Sequence, residues 1–212
     1  MNGRILMSRV HLGGNEKKYI DKAFEDDWVL PLGPNVDDFE LEKYLGADAV
    51  VALSAGTAAI HLGLVMLGAA PGDEVICQSF TFAASANPII YQGARPVFVD
   101  SEAGSWNMDP EQLERAIVER RRITGRYPKA VIPVDLYGMP ARLDEICDIA
   151  SRYGIPVLED AAEALGSVYK GRKCSTWGNY GALSFNGNKI ITTSGGGALV
   201  CPDKESAGRV KF

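Results

Sequence analysis

Four short stretches of this 212-residue chain hold residues whose types and spacing offer chemistry. The first is Ser184-Phe185-Asn186-Gly187-Asn188-Lys189, followed by Ile190-Ile191-Thr192-Thr193-Ser194-Gly195-Gly196-Gly197. A single lysine stands there in a polar turn with apolar residues on both sides. A desolvated amine loses its proton more readily, and the neutral form attacks a carbonyl to make a Schiff base. The competing reading is a solvated lysine in a surface turn. The second stretch, Ser54-Ala55-Gly56-Thr57, stands where an apolar run feeds a helical pattern. Free N–H groups and the helix dipole favour a phosphate at such a point, and Gly56 lets the backbone come close. A plain cap by Ser54 or Thr57 is the alternative. The third is Asp160, at the end of Val157-Leu158-Glu159-Asp160. A carboxylate at a buried strand end needs a cation or hydrogen-bond donor. Paired with a pyridinium nitrogen, it would turn the ring into an electron sink; otherwise it caps the run Ala161 to Leu165. The fourth, Phe80-Thr81-Phe82, offers aromatic faces that stack on a flat ring or simply pack.

These residues gain meaning from the elements that position them. Apolar runs of strand length occur at Ala49–Leu53, Glu74–Gln78, Pro96–Asp100, Ala130–Val134 and Pro156–Asp160, then before Ser184 and at Ala198–Cys201. Helical patterns lie between them, at Ala58–Leu67, 81–92, Leu113–Arg121 and Leu143–Tyr153. The alternation predicts an α/β fold, a mostly parallel seven-stranded sheet with helices on both faces. Upstream, 14–27 and Val36–Leu45 read as helices, giving an N-terminal helical segment (1–46) and a cofactor-binding domain (47–212). Ligands of such sheets sit beyond the carboxyl ends of the strands, where the polar and glycine residues of this chain fall. A phosphate cradle, a stacking ring, an acid for a ring nitrogen and a lysine amine at one sheet edge together meet the needs of pyridoxal 5'-phosphate. Neither G-x-G-x-x-G nor G-x-x-x-x-G-K-[ST] occurs, so dinucleotide and P-loop readings lose their main support.

Composition excludes other classes. A 46% apolar, 23% charged chain of net charge -5 is ordinary soluble globular material, and no lysine-arginine block points to nucleic acid. No apolar run approaches a membrane span, and no signal-peptide core opens the sequence. Cys77, Cys147 and Cys201 have apolar neighbours and read as reduced core thiols, whereas Cys174 stands in a polar loop. With only His11 and His61, no histidine-rich metal site is expected. The location implied is cytoplasmic.

Further motifs stand in series from about Trp28 to Gly197. They are Trp28-Val29 with Gly33-Pro34-x-Val36-x-x-Phe39-Glu40, Ser54-x-Gly56-Thr57-Ala58-Ala59 and Pro71-Gly72-Asp73-Glu74-Val75. Phe80-Thr81-Phe82, Leu136-Tyr137-Gly138, Glu159-Asp160-Ala161-Ala162 and Ser184-Phe185 with Lys189 complete them. The series resembles the DegT/DnrJ/EryC1/StrS family of sugar aminotransferases, of pyridoxal-phosphate fold type I. The resemblance implies that Lys189 forms the Schiff base and shuttles a proton, and that Asp160 pairs with the pyridine nitrogen. It also implies that Gly56, Thr57 and Ser184 hold the phosphate, that Phe82 stacks on the ring, and that Glu163 joins the cofactor set where most members carry glutamine. Asp135 and Asn186 each replace a frequent histidine, and Gly178-Asn179 replaces Gly-Asp. The Phe-Asn-Gly-Asn-Lys form is similar to members that aminate C4 of a UDP-linked 4-keto-6-deoxy-N-acetylhexosamine. Members that dehydrate sugars carry histidine at the lysine position, so Lys189 favours amino transfer, from glutamate to a nucleotide sugar, in a homodimer.

Family members continue well past the position of Phe212, with a smaller C-terminal domain. The chain therefore resembles the large domain without its companion, and weak or absent turnover is expected of it alone. The alternative is a non-catalytic module of the same fold that binds the cofactor or dimerises.

Overall fold

The computed structural model describes residues 12–27 and 41–211. They fall in two compact units, Met1–Glu40 and Leu41–Phe212. In the first, the described residues hold one helix, α1 (Glu16–Glu25), in which Lys17 and Asp21 pair at 2.6 Å one turn apart. Of the helix expected over Val36–Leu45, Leu41–Leu45 is helical (α2). Val36 to Glu40, and the Trp28-Val29 and Gly33-Pro34 positions of the resemblance, lie outside the described residues.

The larger unit alternates strand and helix. β1 (Ala49–Leu53), α3 (Gly56–Met66), β2 (Glu74–Gln78), α4 (Ala83–Tyr91) and β3 (Arg95–Val99) come first. Next are α5 (Pro110–Thr124), β4 (Ala130–Ile132), a 3-10 turn at Leu136–Gly138, α6 (Leu143–Arg152) and β5 (Leu158–Asp160). A small hairpin, β6 (Val168–Tyr169) with β7 (Arg172–Lys173), precedes β8 (Tyr180–Ser184), β9 (Gly197–Cys201) and α7 (Lys204–Lys211). Local chemistry sets some limits wider than the apolar pattern does. Asp109 accepts the Glu111 N–H at 2.8 Å, Pro110 suits the first turn, and Gly125 closes the helix at φ 75°. Hence α5 starts before Leu113 and ends beyond Arg121.

The strands make an α/β fold, but not the single seven-stranded sheet that the apolar runs imply. Two hydrogen-bonded ladders form, β1-β9-β8-β5 and β3-β2-β4. They meet at isolated parallel bridges, Val131 with Val157 and Val134 with Asp160. Pro133, which has no N–H to donate, ends β4 after three residues and interrupts the ladder there. β2 is parallel to β3 and β4, and β5 to β8, whereas β9 is antiparallel to both β1 and β8. A parallel return from β8 would need a crossover element; 185–196 holds no helix, so the chain simply turns back.

The core lies between α3 and the strands. Ile60 and Leu64 of α3 and Val75, Ile132 and Leu158 of the strands pack there and are all fully buried. Each such side chain contributes about 1.5–3 kcal/mol on leaving water. Gly63 lets α3 come down on the sheet: a Cβ there would lie 2.7 Å from Leu158 Cδ1. Cys77 and Cys201 are buried thiols, as their neighbours suggest. Cys174 is buried too, contrary to its polar sequence context, because its loop folds under β5, where Ser175 and Trp177 donate their N–H groups to Glu159. No helix among the described residues is long and apolar enough to cross a membrane.

Candidate active site

The ends of β1, β5 and β8 and the turn after β4 open on one cavity of about 580 Å³. Gly56, Thr57, Phe82, Asp160, Glu163, Ser184 and Lys189 all line it. At one end, Ala55 is the N-cap of α3, in extended geometry and with no side-chain capping bond. The plain cap by Ser54 or Thr57 is thus not what forms. The first intrahelical bond runs from Ala59 N–H to Ala55 O at 3.1 Å, and before it the N–H groups of Gly56 and Thr57 belong to cavity-lining residues. Close backbone packing fixes this turn. A Cβ on Gly56 would lie 2.8 Å from Ser184 Cβ, and one on Gly197 would lie 2.4 Å from the Ala55 carbonyl carbon. The arrangement suits a phosphate group: unshared N–H donors, a positive helix end and the Ser184 hydroxyl beside them.

At the other end stands the amine. Lys189 Nζ donates to Glu163 Oε1 at 3.0 Å, and the lysine side chain is 12% exposed. Ile190 and Ile191, which in the sequence look like an apolar sleeve, are themselves mostly exposed. The lysine is sheltered by its contact with Glu163 rather than by the two isoleucines. Glu163 Oε2 accepts the Tyr137 N–H at 2.9 Å, so one carboxylate ties the lysine to the turn after β4. That turn is strained: Tyr137 has φ 53°, left-handed and unfavourable for a residue with a Cβ. Gly138 follows at φ 83°, where a Cβ would lie 2.9 Å from Glu163 O.

Asp160 is buried between them. Its Oδ2 accepts from Ser85 Oγ at 2.5 Å and its Oδ1 from Ala162 N–H at 3.2 Å. Burial pushes this carboxyl up, while the Ser85 hydroxyl, the Ala162 N–H and the Lys189 charge act in the opposite direction. Lys189 is the only basic residue among the described residues that line the cavity, facing Asp135, Asp160 and Glu163. A pyridinium N–H would suit Asp160, since a buried carboxylate keeps its charge best beside a cationic donor. Phe82 caps the start of α4 and is 77% exposed at the cavity wall, with its ring free of internal packing. Phe80 instead sits edge-on to Trp106 at 6.1 Å.

Several participants are not evident from sequence. Ser85, the donor to Asp160, is 75 residues away. Gln78 braces the Phe80 loop, donating to Phe80 O at 2.8 Å and accepting Met108 N–H at 2.7 Å. Asn107 accepts Leu136 N–H at 3.0 Å and so holds the strained turn from below. Asn186 and Asn188 bond each other at 2.9 Å on the cavity rim.

Comparison with known proteins bears on this site. The family model described as DegT/DnrJ/EryC1/StrS aminotransferase family matches residues 11–212. EpsN of Bacillus subtilis, named for an assignment as a pyridoxal phosphate-dependent aminotransferase, is 53% identical over 214 residues, 100% of this chain and 55% of that protein. GDP-perosamine synthase of Caulobacter vibrioides is 40% identical over 211 residues, 99% of this chain and 55% of its own length. A DegT DnrJ EryC1 StrS aminotransferase from Brucella abortus superposes with TM-score 0.88 at 40% identity, covering 92% of this chain and 53% of the other. A sugar aminotransferase from Streptococcus pneumoniae, Spr1654, solved in a PLP form, gives TM-score 0.87 at 30% identity over 98% of this chain and 57% of its own. The chain spans about half the length of the curated relatives it matches.

Proposed function

The chain belongs to the DegT/DnrJ/EryC1/StrS aminotransferase family, and from that premise we propose that residues 47–212 carry the cofactor site of a pyridoxal 5'-phosphate-dependent sugar aminotransferase. The observation that carries this reading is the convergence of Lys189, Asp160 and the uncapped start of α3 on one cavity. The cofactor, when bound, supplies a carbonyl for an amine and an electron sink for the carbon that loses its proton. The protein does the rest. Lys189 Nζ holds the cofactor covalently and moves the proton on the reacting carbon. Asp160, set by Ser85, keeps the ring nitrogen protonated. Gly56 and Thr57 N–H groups and Ser184 Oγ bind the phosphate, and Phe82 covers the ring. Glu163 orients Lys189 Nζ between turns of chemistry.

The donor in this reading is glutamate, and the acceptor is a nucleotide-linked keto-deoxy sugar, C4 of a UDP-4-keto-6-deoxy-N-acetylhexosamine. Amino transfer to nucleotide sugars is supported by relatives named GDP-perosamine synthase and UDP-2-acetamido-2-deoxy-3-oxo-D-glucuronate aminotransferase. A relative named as a spore coat polysaccharide biosynthesis protein supports a role in making polysaccharide. The working form is a cytoplasmic homodimer. Adding pyridoxal phosphate to the purified chain should raise a visible absorption band that Lys189→Ala abolishes; an equal band in Lys189→Ala would refute the reading. The second reading is a non-catalytic cofactor-binding or dimerising module of the same fold. It predicts the band without any change on adding glutamate.

A further inference from the structure

The proposed chemistry leaves two buried acids without a task. Asp135 follows β4 at the cavity floor, and Glu159 lies on β5 beside Asp160. One oxygen of each carboxyl and Cys174 Sγ all lie within 4.8 Å of one another. Their surroundings differ. Glu159 Oε1 accepts Ser175 N–H at 2.5 Å, and its Oε2 accepts Trp177 N–H at 2.8 Å and Gly178 N–H at 3.4 Å. Asp135 Oδ1 accepts Ala141 N–H at 2.9 Å, but Oδ2 is buried with no donor. Two adjacent buried anions repel, and an acceptor without a donor is costly. A single proton removes both problems. Held between the two carboxyls, it leaves a single anion, and Asp135 Oδ2 gains its missing partner.

We propose that Asp135 and Glu159 share one proton, held in a bond between the two carboxyls, and that this bond positions the turn which presents Tyr137 to Glu163 and thereby Lys189. Asp135 is well placed for it. Its backbone N–H donates to Asp160 O at 3.0 Å, its side chain closes the turn on Ala141, and Tyr137 lies two residues on. Burial pushes the Asp135 carboxyl up to about 6. Burial, then the Asp135 charge, pushes Glu159 well above the usual range. The pair therefore titrates as a unit that keeps one proton at neutral pH. The titratable groups facing it are Asp160, Cys174 and, toward Glu159, Cys147 on α6, itself beside Arg172. Burial raises both thiols, so they stay neutral.

The bond is a property of the chain itself and stands whether or not the cavity takes pyridoxal phosphate. Infrared spectra of the cofactor-free protein at pH 7 should show the carbonyl band of a buried neutral carboxylic acid, shifted or lost in both Asp135→Asn and Glu159→Gln. Absence of the band in wild type overturns the proposal, as does a band that either substitution leaves unchanged. Should either variant fail to fold, carbon NMR of the wild-type chain with labelled aspartate and glutamate carboxyls reads the same proton without a substitution. The positioning role has its own readout: amide-exchange protection at Tyr137 should fall with the midpoint of the pair's titration. Protection unchanged through that titration refutes the link to the turn.

Discussion

The two ends of the cavity are built on different principles. The start of α3 is shaped by close packing at two glycines: Gly56 against the Ser184 side chain and Gly197 against the Ala55 backbone, with no side-chain cap. The amine end is shaped by charged side chains, Lys189 on Glu163 and Glu163 on the Tyr137 N–H. Packing of the first kind is insensitive to pH and tolerates no added atom. Bonding of the second kind tolerates added volume but follows protonation. Under the proposed function a phosphate anchor needs only to stay still, whereas a reacting amine must change partners, and the two constructions suit those tasks.

This contrast can be broken experimentally. The largest effect is expected at the rigid end. Gly197→Ala drives a Cβ into the Ala55 carbonyl carbon, which cannot rotate away, so denaturant unfolding should show a loss of about 3 kcal/mol. Next is Ser85→Ala, which strips Asp160 Oδ2 of its O–H donor inside the core and should cost about 1–3 kcal/mol. Its sign with pH is fixed. The Asp160 carboxyl is already pushed up by burial, and losing the hydroxyl pushes it further. A group raised on folding contributes stability that is complete below its unfolded range and is lost as pH rises through the folded value. Thermal melts should therefore show a larger Ser85→Ala deficit at pH 8 than at pH 5. Lys189→Ala sits at the adaptable end and leaves a partly exposed Glu163, so melts should shift by about 1 kcal/mol or less, while under the proposed function covalent cofactor attachment should be lost entirely. Smallest is Tyr137→Gly, where relief of a left-handed backbone and the extra freedom of glycine nearly cancel, within about 1 kcal/mol. A loss well beyond that would mean the Tyr137 ring, and not only its N–H, holds the turn.

Much of the site could be read from sequence because its residues stand beside strand ends. Gly56, Asp160, Ser184 and Lys189 each follow or end an apolar run, and strand ends of such a sheet gather at one edge. The direction of β9 was also available in principle, since the absence of a helical pattern between Ser184 and Gly197 favours a reversal over a crossover. Partners brought together by side-chain packing were not available. Nothing near Ser85 signals an acid 75 residues on. The turn of the Lys189 amine to Glu163, and the burial of Cys174 with Asp135 and Glu159, depend on how loops fold beneath β5. Short-range pattern reports which face a residue occupies, and leaves open which polar group it meets there.

The antiparallel placement of β9 has one further effect. Ser184 and Gly197 are cross-strand partners, so the segment that bears Lys189 leaves and re-enters the sheet at a single rung. A handle with both feet on one rung can change length without shifting any neighbouring register. Closure entropy grows slowly, about 0.6 kcal/mol for each doubling of length. The scaffold thus leaves the reach of its reactive amine open to revision at little thermodynamic expense, while the sheet beneath stays as it is.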